Sequence, residues 1–217
     1  MIDQGDKAQS AFRFHQLGLV VLPVHYPVDG HCSCRAAWSC GSPTKHPACS
    51  WKAVREQSEG ELDAVLREYP QHNLGASLAG SGLVVVDVDP GRGGDQALAE
   101  FAARRRNPLP ATLRVRTASG GSHLYFRVDH RLKLDRDVYQ FLHGVDVKGH
   151  GGMVLIPPSR NLAGRSYVLD ASSPSEPVPL PVDVLGRLRL TRTARQRAKQ
   201  APHPPLSRAS RLGQVCR

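Results

Sequence analysis

The chain has 217 residues, a formal net charge of +10, 40 % hydrophobic residues and 22 % charged ones. That length and balance fit one folded domain with its own core and exclude a disordered or fibrous chain. The longest apolar run, 18–24, is interrupted by Pro23 and falls far short of the roughly 20 residues a membrane span needs. The charge is uneven. Positions 1–183 hold 20 Lys and Arg against 19 Asp and Glu, whereas 184–217 hold nine basic residues and no acid. The basic end reads as an electrostatic anchor for nucleic acid or as a solvated tail. The N-terminus carries Asp3 and Asp6 and has neither the basic nor the apolar part of a secretion signal, so the expected location is cytoplasmic, with no membrane association.

In chain order, Ala8, Ala11, Phe12, His15 and Leu19 recur at helical spacing and predict an amphipathic helix over 6–18, followed by a β-branched strand over 19–24. Residues 27–51 show little periodicity and read as a long loop that needs an internal anchor. Ser58 and Glu61 form a capping box for a helix over 58–69. Strands follow at 74–78 and 83–89, separated by the turn 79–82, then a helix at 93–106 that stops before Asn107 and Pro108. Segments 113–117 and 123–128 alternate about a small-residue turn and predict a hairpin. Short strands are expected at 145–148 and 153–156 around a Gly-rich turn, and at 166–169. Pro174, Pro177, Pro179 and Pro181 suggest a linker, with a short helix at 185–190 before the basic tail. Mixed strand pairs and helices predict an α+β fold on an antiparallel or mixed sheet.

The long loop contains Cys32, Cys34, Cys40 and His46, and crowded cysteines in a chain without a secretion signal favour a metal over disulfides. Three thiolates and an imidazole are what tetrahedral structural zinc requires. His31 and Cys49 are substitutes for any one ligand, and the bland alternative is a set of free thiols.

Three further elements carry chemistry. In Val84-Val-Val-Asp87-Val-Asp89-Pro90, strand period puts Asp87 and Asp89 on one face and Val84, Val86 and Val88 on the other. Paired carboxylates repel unless a cation lies between them, and oxygen donors suit Mg²⁺. Ser119-Gly-Gly-Ser-His123 is a tight turn that opens a strand with an imidazole, and Asp146 and Lys148 share a face of a later strand. Each alone has an ordinary reading as a strand end, a structural histidine or a surface residue.

Taken together, their order resembles the archaeo-eukaryotic primase superfamily, most closely the bifunctional DNA primase/polymerase (prim-pol) N-terminal domains. The resemblance spans about 11–169 and includes Asn73-Leu-Gly-Ala, Arg116-Thr-Ala-Ser-Gly-Gly-Ser-His123, Gly144-Val-Asp146-Val-Lys148, Gly151-Gly-Met-Val-Leu-Ile-Pro-Pro-Ser159 and Lys45-His46-Pro47 beside the Cys/His cluster. It implies an RRM-like sheet with an added α/β unit and a zinc-binding loop. It also implies Asp87, Asp89 and Asp146 as ligands of two Mg²⁺ or Mn²⁺ ions and His123 as a contact to the incoming nucleotide's phosphates. Arg116, Ser119 and Lys148 are further candidates for the phosphates.

The expected activity is template-dependent nucleotidyl transfer by a metal-dependent DNA primase/polymerase. Its partners would be DNA template and primer, nucleoside triphosphates and a separately encoded helicase. The expected organisation is a catalytic domain over 1–173, with the zinc loop at about 29–50, followed by a Pro-rich linker and basic tail over 174–217. The competing readings are a zinc-stapled nucleic-acid-binding replication accessory without catalysis and a metal-dependent phosphodiesterase.

Overall fold

The computed structural model describes residues 4–50, 56–105, 109–129, 134 and 138–188. The basic tail beyond 188 and Cys216 lie outside the described residues; of the short helix expected at 185–190, residues 185–188 are described and are helical. Helix α1 (Gln4–Gln16) buries Lys7, Ala11 and Phe14 on one face, so its inward stripe is turned toward Phe14 rather than Phe12. Gly18, at φ +83°, ends it and starts β1 (Val20–Val24), which is buried throughout. A hairpin of β2 (Pro27–Val28) and β3 (His31–Cys32) follows, turning at Asp29 and Gly30, which both have positive φ. That Asp-Gly pair is the type I′ hairpin signal, so the long loop is partly regular. Helix α2 (Glu59–Glu68) carries the expected capping box, with Ser58 and Glu61 satisfying each other's backbone N–H groups.

Two sheets lie over a shared core. The smaller has β4 (Asn73–Ser77) at its centre, antiparallel to β1 on one side and to β10 (Met153–Ile156) on the other. The larger contains β5 (Leu83–Val88), β6 (Arg114–Arg116), β7 (Ser122–Arg127), β8 (Val138–Leu142), β9 (Val145–Lys148) and β11 (Val168–Leu169). Its order is β11-β6-β7-β5-β9-β8, with every one of these neighbours antiparallel. The strands expected at 74–78 and 83–89 therefore belong to different sheets, and so do β9 and β10. Both Gly-rich segments between them are crossings rather than hairpins.

β5 has a core on each face, which explains its nearly unbroken valine run. Leu83 and Val85 join Phe14, Leu62, Leu113 and Ile156 between the sheets. Val84, Val86 and Val88 join Phe126, Phe141 and Val147 on the far face, beneath helix α3 (Gly94–Ala103), whose Leu98 and Phe101 pack there. The Pro-rich stretch is not a free linker. β12 (Val178–Pro179) pairs parallel with β7 beyond the point where β6 ends, and Leu180, Val184 and Leu188 are buried in the far-face core. No helix among the described residues is long and apolar enough to cross a membrane.

Candidate active site

The centre of the larger sheet sets the site. Asp87 on β5 lies opposite His123 on β7 and opposite Asp146 on β9, and residues directly opposed in antiparallel ladders project to one face. Two residues along β5, on the same face, Val85 lies between Tyr125 and Lys148. Lys148 reaches Asp87 diagonally, its Nζ 3.2 Å from Oδ2, while His123 Nε2 is 3.6 Å from Oδ1.

Asp89 sits just past the strand end. Its backbone N–H donates to the Gly144 carbonyl, and its Oδ1 accepts from the Gly91 N–H at 3.0 Å, capping a 3₁₀ turn over Pro90–Arg92. That turn carries Arg92 back across the acids. Its Nε donates to Asp89 Oδ2 at 3.0 Å and its Nη2 to Asp146 Oδ2 at 3.2 Å. Arg92 was not among the residues the sequence singled out. Its place three residues after Asp89, in a Pro-Gly turn, was the available signal.

The small-residue turn is pressed against the end of β5. A Cβ on Gly121 would stand 2.2 Å from the Val88 carbonyl oxygen, so only glycine fits this approach. Thr117 closes the turn, its hydroxyl accepting from the Gly121 N–H and lying 3.1 Å from the Ser119 hydroxyl. His123 is buried, its ring 5.7 Å from that of Tyr167. Burial pushes its imidazole below the ordinary histidine range, with the Asp87 carboxylate pulling the other way, so it is mainly neutral at pH 7. Burial, helped by Asp87, pushes the Tyr167 phenol up to about 12 and keeps it a donor.

A polar cleft of about 240 Å³ is lined by Asp87, Asp89, Arg92, Ser119, His123 and Lys148, and Asp146, which is not part of its lining, is tied to it through Arg92. Larger cavities of about 570 and 710 Å³ lie beneath α3 and beside α1, but they contain none of Asp87, Asp89 and Asp146. Charge rather than volume marks the site. Arg116 is the exception among the expected phosphate contacts. Val115 opposes His123 and is buried with the inter-sheet core, so Arg116, next along β6, points to the other face and does not line the cleft.

The Cys/His loop is anchored on the outer edge of β1. His25 N–H donates to the His46 carbonyl, Ala48 N–H donates to Pro23, and Val24 bridges to Pro47. The ligand atoms of Cys32, Cys34, Cys40 and His46 all lie within 4.8 Å of one another. Among the described residues this is the one such group of three or more His, Cys, Asp or Glu. His46 Nε2 is 3.6 Å from Cys32 Sγ and 3.4 Å from Cys40 Sγ. Burial opposes ionisation of the Cys34 thiol, but hydrogen bonds from Cys32, Cys40, the Ala36 backbone and His46 bring it down to about 6. A Cys₃His set of soft donors with a readily ionised thiolate could hold a structural zinc. His31 instead contacts the Cys32 carbonyl and the Trp38 ring, and Cys49 stands outside the quartet.

The chain belongs to the bifunctional DNA primase/polymerase N-terminal family, whose model matches residues 11–182. The match takes in both sheets, the Cys/His loop and the acidic cleft, and reaches past β12. Membership implies a nucleotidyltransferase of the primase/polymerase kind, with DNA and nucleotides as substrates. No curated protein matches the chain.

Proposed function

We propose that the polar cleft carries out template-directed nucleotidyl transfer on DNA, with Asp87, Asp89 and Asp146 as ligands of two Mg²⁺ or Mn²⁺ ions. The observation that carries this reading is the row His123–Asp87–Asp146 across three neighbouring strands, with Asp89 tied to Asp146 through Arg92. The donor set fits the group: three carboxylates supply only oxygen, and each is balanced by a cationic side chain that a divalent ion can displace. When bound, such ions acidify the primer 3′-hydroxyl and neutralise charge on the leaving pyrophosphate.

The chain's own groups supply position. Neutral His123 and the Ser119 hydroxyl donate to phosphate oxygens, and Lys148, released from Asp87, faces the same anion. No covalent intermediate is required, since positioning and electrostatics carry phosphoryl transfer. Arg92 screens the acids from one another and yields its contacts when cations bind. In this reading the larger sheet with α3 is the RRM-like core, the smaller sheet with α1 and α2 is the added unit, and the catalytic domain runs through 188. The zinc loop is structural and flanks the path of the template strand.

The test is incubation of the purified chain with primed template, nucleoside triphosphates and Mn²⁺ or Mg²⁺. Extension of the primer supports the proposal. Shortening indicates a phosphodiesterase using the same carboxylates, and a mobility shift without chemistry indicates a binding accessory.

A further inference from the structure

Lys45 is the cleft's one contribution from the Cys/His loop. Its neighbours in sequence explain how it gets there. Thr44 is buried with a positive φ of 61°, and its N–H points to Cys32 Sγ at 3.4 Å. Asn73 on β4 bonds the backbone here, its Nδ2 donating to the carbonyls of His25 at 3.2 Å and Thr44 at 3.5 Å. His46, the next residue, belongs to the Cys₃His quartet. Lys45 is therefore held between a strained, buried threonine and a quartet ligand, in a stretch of the loop that lies beyond its short β2–β3 hairpin.

The cleft's other cations are already engaged. Arg92 holds Asp89 and Asp146, and Lys148 holds Asp87. Among the described residues, Lys45 has no carboxylate within 4 Å. Lys45 lines the same cleft as His123 and Lys148. An unpaired ammonium at the mouth of a cleft whose inner cations are matched by acids is suited to an anion entering from outside.

On the reading of the cleft given above, we infer that Lys45 binds the triphosphate of the incoming nucleotide, and that the quartet's metal acts in nucleotide binding by holding Lys45 in place. The loop is thereby part of the nucleotide site as well as a staple. A lysine suits the task because it meets phosphate as a point charge on a flexible stem. Losing one charge-assisted contact corresponds to roughly a ten-fold or larger change in affinity.

The experiment uses the full zinc-loaded chain, K45A and K45R. Zinc content is measured by elemental analysis, inorganic tripolyphosphate binding by calorimetry, and nucleotide KM and kcat on primed template. For K45A the expectation is unchanged zinc, tripolyphosphate affinity down about ten-fold, nucleotide KM up by a similar factor, and kcat and DNA affinity within about three-fold. K45R should recover most of the loss. A Cys34→Ser, Cys40→Ser double variant should lose the same affinity, and adding K45A to it should cost nothing more. Should the double variant not fold, the K45A and K45R pair decides alone. Wild-type tripolyphosphate affinity in K45A overturns the inference, as do strictly additive losses in the combined variant. Because tripolyphosphate binding needs no catalysis, an absence of primer extension would overturn the active-site reading while leaving this outcome separately legible.

Discussion

Replacing Asp87 by Asn separates chemistry from fold. The change keeps shape and removes one charge at the centre of the sheet row. Lys148 Nζ at 3.2 Å is the strongest partner lost. Coulomb's law gives that pair about 5 kcal/mol at an effective dielectric of 20 and about 1 kcal/mol in water. The side chains are 20 % and 26 % exposed, so solvent screens the pair, and relief of repulsion from Asp146 offsets part of what remains. The net effect on stability should fall within about 1 kcal/mol, a Tm change of about 2–4 °C for a domain of this size. Catalysis has no such compensation. Loss of a preorganised group that holds transition-state charge costs on the order of 10²–10³-fold in rate or more. Thermal melts and single-nucleotide extension of a primed template read the two effects side by side. An Asn variant that extends within ten-fold of wild type would refute the metal-ligand role. A loss of activity accompanied by a collapse in Tm would show that Asp87 serves the fold instead.

Further outcomes follow from other parts of the molecule. Arg92→Ala should tighten Mn²⁺ binding several-fold in a calorimetric titration, since the cation that competes for Asp89 and Asp146 is gone; weaker binding would contradict the screening role. Gly121→Ala should destabilise the domain by about 2 kcal/mol or more in urea unfolding, because the new methyl meets the Val88 carbonyl; a neutral result would contradict that close approach. Lys7, buried under α2 and donating to the Tyr69 and Pro70 carbonyls, has its pKa lowered to about 8 by burial. Between about pH 8 and 10.5 the unfolded chain then holds a proton that the folded chain has released, so this residue's contribution to stability rises with pH in that window. The stability difference between wild type and Lys7→Met, from urea unfolding at several pH values, should grow with that sign, and a flat difference would refute it. Removing 189–217 should weaken DNA binding and flatten its dependence on salt, with turnover at saturating DNA unchanged. An unaltered salt slope would mark the tail as merely solvated.

Much of the site was legible because its signals are local. The Ser58–Glu61 box, the 113–128 hairpin and the Asp-x-Asp strand each depend on residues a few positions apart. The Cys/His quartet was legible from donor chemistry and crowding alone. Sheet membership was not, because a Gly-rich crossing and a Gly-rich hairpin turn look alike: 79–82 and 149–152 each pass between sheets. β8 was missed, although Val138-Tyr-Gln-Phe-Leu142 has strand-forming residues; its partner β9 is joined by the short His143-Gly144 turn. Arg116 was a further candidate for the phosphates, but strand alternation sends it to the opposite face. Arg92 escaped notice for the converse reason: only the 3₁₀ turn after Asp89 brings it over Asp146. The prolines of 174–181 suggested a linker, yet proline fits an edge strand such as β12, where Leu180 buries itself.

The row of His123, Asp87 and Asp146 is proposed to serve template-directed synthesis. The most direct measurement supplies one nucleoside triphosphate at a time to the purified chain, with Mn²⁺ and a primed template of defined next base. The complementary nucleotide should be added far faster than the other three, the preference should change when the template base is changed, and Asp146→Asn should abolish the addition. Indifferent addition of all four nucleotides, or no addition by a folded chain that binds the DNA, would contradict that role.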